Sequence, residues 1–295
     1  RAPGTAEDWA AELPASLPVP PRASRAAAEV GPVSWTYFDH GVEELLALAD
    51  LGGGEGAEEI RVHTFRDGAV YSGAWRGRAR HGFGTQSWPD GARYEGQWSR
   101  NQAEGHGRFV HTDGDIFCGQ WQRNVAHGMG VYHHRPGQDK ATCYAGQWCN
   151  DLQEGLGSET WAEGSRYEGQ FRAGQKDGLG TYSWADGSVF HGRWRANAIN
   201  GPGRYKGKDG REFRGQWSSS MIHGCGVYAW PDGRTYSGQY TRDHKSGFGF
   251  FVWPDRRKYH GYWLSGKQHG EGLYQRADGS VCRAVWRNGK CEELP

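Results

Sequence analysis

The sequence is short of aliphatic side chains. Its 295 residues include 12 leucines, four isoleucines and two methionines, too few to pack a helical bundle or a doubly wound α/β domain. Long apolar runs are missing as well, and nothing approaches the roughly 18 residues of a transmembrane helix. Net charge is small, +1, which removes the usual companion of disorder when aliphatics are scarce. The six cysteines (Cys118, Cys143, Cys149, Cys225, Cys282 and Cys291) include no CxxC pair. They read as scattered thiols of a reducing, intracellular compartment, although Cys282 and Cys291 are near enough in sequence to pair. HExxH, GxSxG and Walker motifs are all absent, so no catalytic residue, metal, cofactor, small-molecule substrate or nucleic acid is expected.

What the chain does have is 48 glycines, 15 tryptophans and 14 tyrosines, and they recur with a period. An aromatic-x-Gly-x-aromatic pentad begins at Tyr71, Tyr94, Phe117, Tyr144, Tyr167, Phe190, Phe213, Tyr236 and Tyr259, and an eroded copy begins at Cys282. Successive starts lie 23 residues apart, except that Phe117 and Tyr144 lie 27 apart, with the extra length around Pro136-Gly137. A fixed period of this size marks stacked supersecondary units.

Two further signals repeat inside each unit. Seven residues past the tryptophan comes Gly-x-Gly, often after histidine, as in His81-Gly82-Phe83-Gly84 and His127-Gly128-Met129-Gly130. Just before the next pentad comes Asp-Gly, as at Asp90-Gly91 and Asp232-Gly233. Asp-Gly between alternating runs predicts a type I′ turn. At the other end Asn101, Asn124, Asp151, Asn197 and Asp243 suit the left-handed region, inside a turn of about six residues that takes in the His-Gly. Each unit is therefore read as a hairpin.

The period-2 rule puts Tyr71 and Trp75, Tyr94 and Trp98, and Trp121, Trp148, Trp194, Trp217 and Trp263 on one face as the structural core. The second strand adds Tyr182, Trp184, Tyr228, Trp230 and Trp253 to that face. Glycines between the rings read as room for a neighbouring ring. Glu95, Gln97, Glu168, Gln170, Arg193 and Gln216 fall on the opposite face, which is expected to be polar.

These motifs resemble the MORN (membrane occupation and recognition nexus) repeat, Tyr-x-Gly-x-Trp, turn, His-Gly-x-Gly, Asp-Gly, over about residues 71–291. The resemblance implies an all-β, elongated antiparallel β-hairpin repeat, a rod of about ten 23-residue units. Departures are the four-residue insertion, Asp255-Arg256 in place of Asp-Gly, and the eroded last copy, which suits a cap.

Ahead of the repeats, 1–34 is an Ala/Pro-rich lead expected to be disordered, and 35–59 a short helix and linker that caps the stack or docks another subunit. Within it Trp35, Tyr37, Phe38 and Leu45 form a dense apolar cluster, Gly41–Leu51 is the predicted helix and Asp39 its N-cap. The repeat domain is 60–295, starting with a partial unit at Ile60, Val62 and Phe65. The chain opens on Arg1 rather than Met, so a longer or processed precursor is expected. With repeats running close to Pro295, no fused catalytic domain of the kind some relatives carry is expected. Charge is split, −8 before residue 60 and +9 after it.

The expected function is a non-catalytic scaffold binding protein segments of a large assembly. The resemblance supplies ciliary or flagellar axonemes (radial-spoke-like) and the cortical cytoskeleton as settings. Partner contact is expected along an open aromatic groove at Tyr182, Trp184, Tyr228, Trp230 and Trp253. One alternative is a peripheral module that reads anionic phospholipid through Lys206, Lys208, Arg211, Arg214, Arg256, Arg257 and Lys258. Another is an accessory subunit of an organellar membrane complex.

Overall fold

The computed structural model describes residues 36–39, 43–45, 58–134 and 141–293. They fall into two units, one reaching Lys176 and one starting at Asp177. The first holds helix α1 (Thr36–Asp39) and strands β1 (Glu58–Thr64), β2 (Val70–Arg76), β3 (Ala79–Ser87), β4 (Arg93–Ser99) and β5 (Gln102–Val110). It continues with β6 (Ile116–Gln122), β7 (Val125–His134), β8 (Thr142–Cys149), β9 (Leu152–Trp161) and β10 (Arg166–Arg172), and β11 (Gln175–Ser183) carries the boundary. The second holds β12 (Val189–Arg195), β13 (Ala198–Lys206), β14 (Glu212–Ser218), β15 (Met221–Ala229) and β16 (Thr235–Thr241). Then come β17 (His244–Val252), β18 (Lys258–Leu264), β19 (Lys267–Gln275), β20 (Val281–Arg287) and β21 (Lys290–Glu293).

Within each unit every strand pairs antiparallel with its neighbours in sequence, as in Gly73↔Gly84, Gly96↔Gly107 and Gly215↔Gly226. The all-β hairpin repeat expected from the spacing is the observed fold. The partial first unit is β1, and the lengthened turn and the 1–34 lead lie outside the described residues. Of the predicted helix Gly41–Leu51, residues 43–45 are described and are helical.

The glycine pairs carry the packing. A Cβ on Gly84 would lie 2.2–2.6 Å from the Tyr71 ring, and one on Gly73 2.4 Å from the Gly84 Cα. The tyrosine thus lies flat across two strands where only hydrogens stand beneath it. Its hydroxyl donates to the Ala74 carbonyl, 3.0 Å away. Edge contacts hold it between Trp75 (5.2 Å) and the next unit's Trp98 (5.4 Å), the geometry that the ring quadrupole favours. Tyr94 repeats this between Trp98 and Trp121, and Tyr236 between Tyr240 and Trp263. The nine rings read as structural core are at most 7 % exposed.

Both turn readings are corrected. At Asp67-Gly68 the Gly68 N–H donates to the Phe65 carbonyl and the Phe65 N–H to that of Ala69. Only Gly68 has positive φ (+88°), so the connection is a three-residue loop in which a type I turn precedes a left-handed glycine. Asp67 earns its place differently, its carboxylate accepting the Ala69 N–H at 2.9 Å. Arg256 replaces glycine at φ 72° in the corresponding turn. The type I′ turns sit at the opposite end, at two-residue connections such as Arg100-Asn101 (φ 49° and 69°) and Arg242-Asp243 (φ 47° and 67°). The six-residue turn does not form, because the His-Gly-x-Gly stretch is strand.

The reason is a bulge. Between Gly96↔Gly107 and Trp98↔Ala103 the pairing skips, and Gly105 takes φ +69°. The Gln97 amide oxygen fills the space beside it and accepts the His106 N–H at 2.6 Å. Gln120, Gln147, Gln216 and Gln239 do the same for Met129, Leu156, Cys225 and Phe248. Gln97 and Gln216, expected only to face water, clamp the strand. The bulge also pushes the middle residue outward, so Phe83, Met129, Leu156, Leu179 and Phe248 are exposed on the face expected to be polar. The register sets Cys282 opposite Tyr274 and Cys291 opposite Trp286, so the two cysteines do not face each other.

Candidate functional site

The aromatic face is built from ring-walled seats, one per repeat. The second residue of each hairpin's second strand, nine residues after the pentad starts, marks the seat; around Lys245 the rings come from the preceding repeat (Trp230), its own (Tyr236 and Phe251) and the next (Trp263). A left-handed turn residue of the next hairpin fixes this backbone. Asn124 N–H donates to the Ala103 carbonyl, and the Asn124 side-chain oxygen accepts the Ala103 N–H at 2.7 Å. Asp243 holds Ile222 in the same way. Asp151 does so for Ala126, and burial pushes its carboxyl up to about 7.

The seats are filled differently. Lys245 is 4 % exposed, with Nζ 4.7–5.4 Å from the ring centres of Trp230, Tyr236, Phe251 and Trp263. Burial pulls its ammonium down to about 7, and Arg234 adds to the shift. Lys176 lies 4.7 Å from the Trp161 ring and pairs with the buried Glu159 carboxylate at 2.6 Å. Arg80 stacks on Trp98 and donates to Gln86 and to the Asn101 carbonyl, with burial lowering it to about 10. Ile199, Ile222, Gln153 and Gln268 fill four more seats and are likewise buried.

At Ala103 the repeat supplies only a methyl group, and the filler comes from outside. Phe38 of α1 is 2 % exposed, with its ring centre 5.4–6.0 Å from those of Trp88, Tyr94, Trp98, Phe109 and Trp121. Trp88, Tyr94, Phe109 and Trp121 hold the same places in the repeat as the four rings around Lys245, six repeats later. Around Phe38 the backbone is read too: Trp88 Nε1 donates to the Tyr37 carbonyl at 2.9 Å, and the Tyr37 hydroxyl to Asp90. Further along, Glu44 accepts the Arg66 N–H at 2.9 Å and meets His63 at 3.1 Å.

The remaining site expectations divide. Tyr182 and Tyr228 are fully buried against their own Trp184 and Trp230 (ring centres 4.7 and 4.4 Å apart), and Trp230 and Trp253 are nearly so. Trp184 is half-buried. Seat residues such as Ile222 and Lys245 are buried on the same face. In the basic clusters, Arg204 and Arg214 both pair with Glu212, Arg211 with Asp209 and Arg257 with Asp255. Lys208 acts on the Asp186 carboxylate and helps to lower it, and Lys206, Arg256 and Lys258 add further positive charge. The seat fillers Lys176 and Lys245 were missed in the sequence, where lysine on a strand reads as solvent-facing. Their fixed offset from the pentad was the available signal.

Nine consecutive copies of the MORN repeat model match the sequence, at 71–93, 94–116, 117–138, 144–166, 167–189, 190–210, 213–233, 236–256 and 259–281. The chain belongs to the MORN repeat family. No curated protein matches the sequence significantly. Among solved structures, this MORN chain is similar to the TCP10 domain of Danio rerio CPAP, in a complex with a peptide of STIL. Identity is 12 % and the TM-score 0.40, covering 80 % of this chain and 100 % of that one. The TCP domain of Drosophila melanogaster SAS-4, in a complex with a proline-rich motif of Ana2, matches at 13 % identity and a TM-score of 0.35, covering 61 % and 90 %. Both likenesses are too loose to bear on function.

Proposed function

We propose that this MORN repeat protein is a non-catalytic scaffold that holds segments of other proteins against its aromatic face. The setting would be a large intracellular assembly of the axonemal or cortical-cytoskeletal kind. One observation carries the reading: the face already holds a segment, with Phe38 sunk among five rings and its neighbour's carbonyl held by Trp88. Burying one phenylalanine contributes roughly 1.5–3 kcal/mol, so a few such anchors suit peptide capture. In the second unit the indoles of Trp184, Trp230 and Trp253 lie nearest the surface of this face and would be met first. The ion pairs within the basic clusters speak against a membrane surface as the principal partner.

Co-purification from an extract of the expressing cells tests this, comparing wild type with a Trp184→Gln/Trp230→Gln chain. The partner should be lost while the far-ultraviolet β signal is kept. Retention by the folded double variant would move the interface off this face. Salt-sensitive flotation with phosphoinositide vesicles, abolished by Lys206→Glu/Lys208→Glu, would put the membrane reading first.

A further inference from the structure

The reverse face of the sheet changes character late in the chain. Side chains alternate between faces along a strand, and behind the aromatic face earlier repeats carry Glu95, Arg108, Glu168, Arg204 and Arg214. In the repeats beginning at Tyr236 and Tyr259 the same positions hold Phe250, His260 and Leu273. Tyr262 stands where Gln97, Gln216 and Gln239 clamp the bulge in other repeats. The register sets Phe248 opposite Tyr262 and Phe250 opposite His260, which in turn faces Leu273. Phe248 touches His260 and Tyr262, with ring centres 4.6 and 5.5 Å apart. The cluster is still open to water, with Tyr262 56 % exposed, Leu273 47 % and Phe248 45 %. Apolar side chains gathered in this way on a surface mark an interaction site.

One step along the strands the same face turns basic. Val252, Lys258 and Gln275 form the next cross-strand row, about 7 Å from the Phe250 row, and line a cavity of about 730 Å³. Arg256 and Arg276, from two consecutive turns, join Lys258 on its walls. The acid on those walls, Asp278, already accepts the N–H and hydroxyl of Ser280 at 2.8 and 2.7 Å. Departures from the repeat make the space. Pro231 and Pro254 lean on the glycine of the preceding turn, 3.2 and 3.8 Å from where a Cβ on Gly210 and Gly233 would stand. At the next step the corresponding pair is Ala277 and Arg256, a methyl group and a long cation in place of proline against glycine.

The geometry points to a second docking surface here, for an extended acidic segment of a partner protein. Side chains two apart in an extended chain repeat at the spacing of these rows. Two apolar side chains would therefore lie on the Phe248–Tyr262 and Phe250–Leu273 rows, and an Asp or Glu two residues further on would enter the cavity between Arg256, Lys258 and Arg276. Next to the patch Arg283 and Glu271 neutralise each other at 2.6 Å, so the positive charge is concentrated at the cavity. One spot of charge beside a short apolar row complements a single chain better than a flat anionic surface. The aromatic face plays no part in this surface, so the two readings stand or fall separately.

Random dodecapeptides displayed on phage and selected on the full-length chain test this. The enriched sequences should share apolar-x-apolar-x-Asp/Glu, and the best of them, as a labelled synthetic peptide, is then titrated by fluorescence anisotropy. Each variant borrows residues native to other repeats, which protects the fold. Arg256→Gly/Lys258→Gln and Phe250→Thr/Tyr262→Gln should each weaken binding at least about tenfold, whereas Trp184→Gln/Trp230→Gln should leave it within about twofold. Added salt should weaken the wild-type complex more than that of the cation variant. No enrichment, an enriched motif without acids, or binding that survives both reverse-face variants would overturn the proposal. So would loss of binding in the Trp184/Trp230 variant, which would place the peptide on the aromatic face. Flotation with phosphatidylserine vesicles that Arg256→Gly/Lys258→Gln abolishes would overturn it in favour of a membrane.

Discussion

Phe38→Ala removes a ring that the N-terminal segment sets deep in the aromatic face. Truncating a buried phenylalanine costs about 3–5 kcal/mol in a cooperative core, and this ring is 2 % exposed, with five aromatic neighbours. The hairpins beneath keep their own contacts, Tyr94 with Trp98 at 5.0 Å and with Trp121 at 5.2 Å. The loss should therefore appear as release of the segment rather than collapse of the sheet. Among the described residues the ties that remain are the Tyr37 ring on Trp88 and Phe109, the buried Leu45, and the Trp88–Tyr37 carbonyl, Tyr37–Asp90 and Glu44 bonds, the bonds contributing about 1 kcal/mol each. At 1.4 kcal/mol per tenfold, opening should rise roughly 10²–10³-fold. Hydrogen exchange of a peptide covering 36–45 reads this directly, and the urea midpoint of the sheet should move little. Ala103→Ile, which fills the seat from within as Ile199 and Ile222 do, should release the segment equally without a truncation in it. Exchange within twofold of wild type in both variants would refute the seat argument.

Two other expectations follow from the packing. Gly107→Ala places a Cβ 2.4–2.5 Å from the Tyr94 ring and must drive that ring from between two tryptophans, costing about 3 kcal/mol or more. Gly91→Ala meets nothing within 4 Å and should cost only the roughly 1 kcal/mol of its φ of +96°, so denaturant midpoints in the reverse order would contradict the glycine assignment. Asp151 has its carboxyl pushed up to about 7 by burial. Between about pH 4 and 7 the unfolded chain gives up this proton while the fold keeps it, so stability falls as pH rises through that window. Asp151→Asn, matching Asn101 and Asn124, should therefore stabilise by about 2–4 kcal/mol at pH 8 and hardly at all at pH 4. Equal unfolding midpoints for the two chains at pH 8 would show that burial does not burden the carboxylate.

Spacing alone fixed the hairpin, its 23-residue period, the aromatic face and the glycine pairs, because each depends on residues a few positions apart and on the two-residue repeat of a strand. It also marked Asn101, Asn124 and Asp243 as left-handed, as they are. Which end carries the type I′ turn was decided by the pairing register. Both ends have turn-forming residues, and only the partner strand settles how many stay unpaired. The bulge at Gly105 likewise needed a glutamine on the adjacent strand. What fills the aromatic face was beyond spacing altogether. Phe38 meets Trp121 across 83 residues of chain, and Lys176 and Lys245 are buried cations that sequence alone assigns to water. A side chain's burial depends on the rings that tertiary structure gathers around it, and a charged one can be held there only because those rings, or a carboxylate such as Glu159, offset part of its lost hydration.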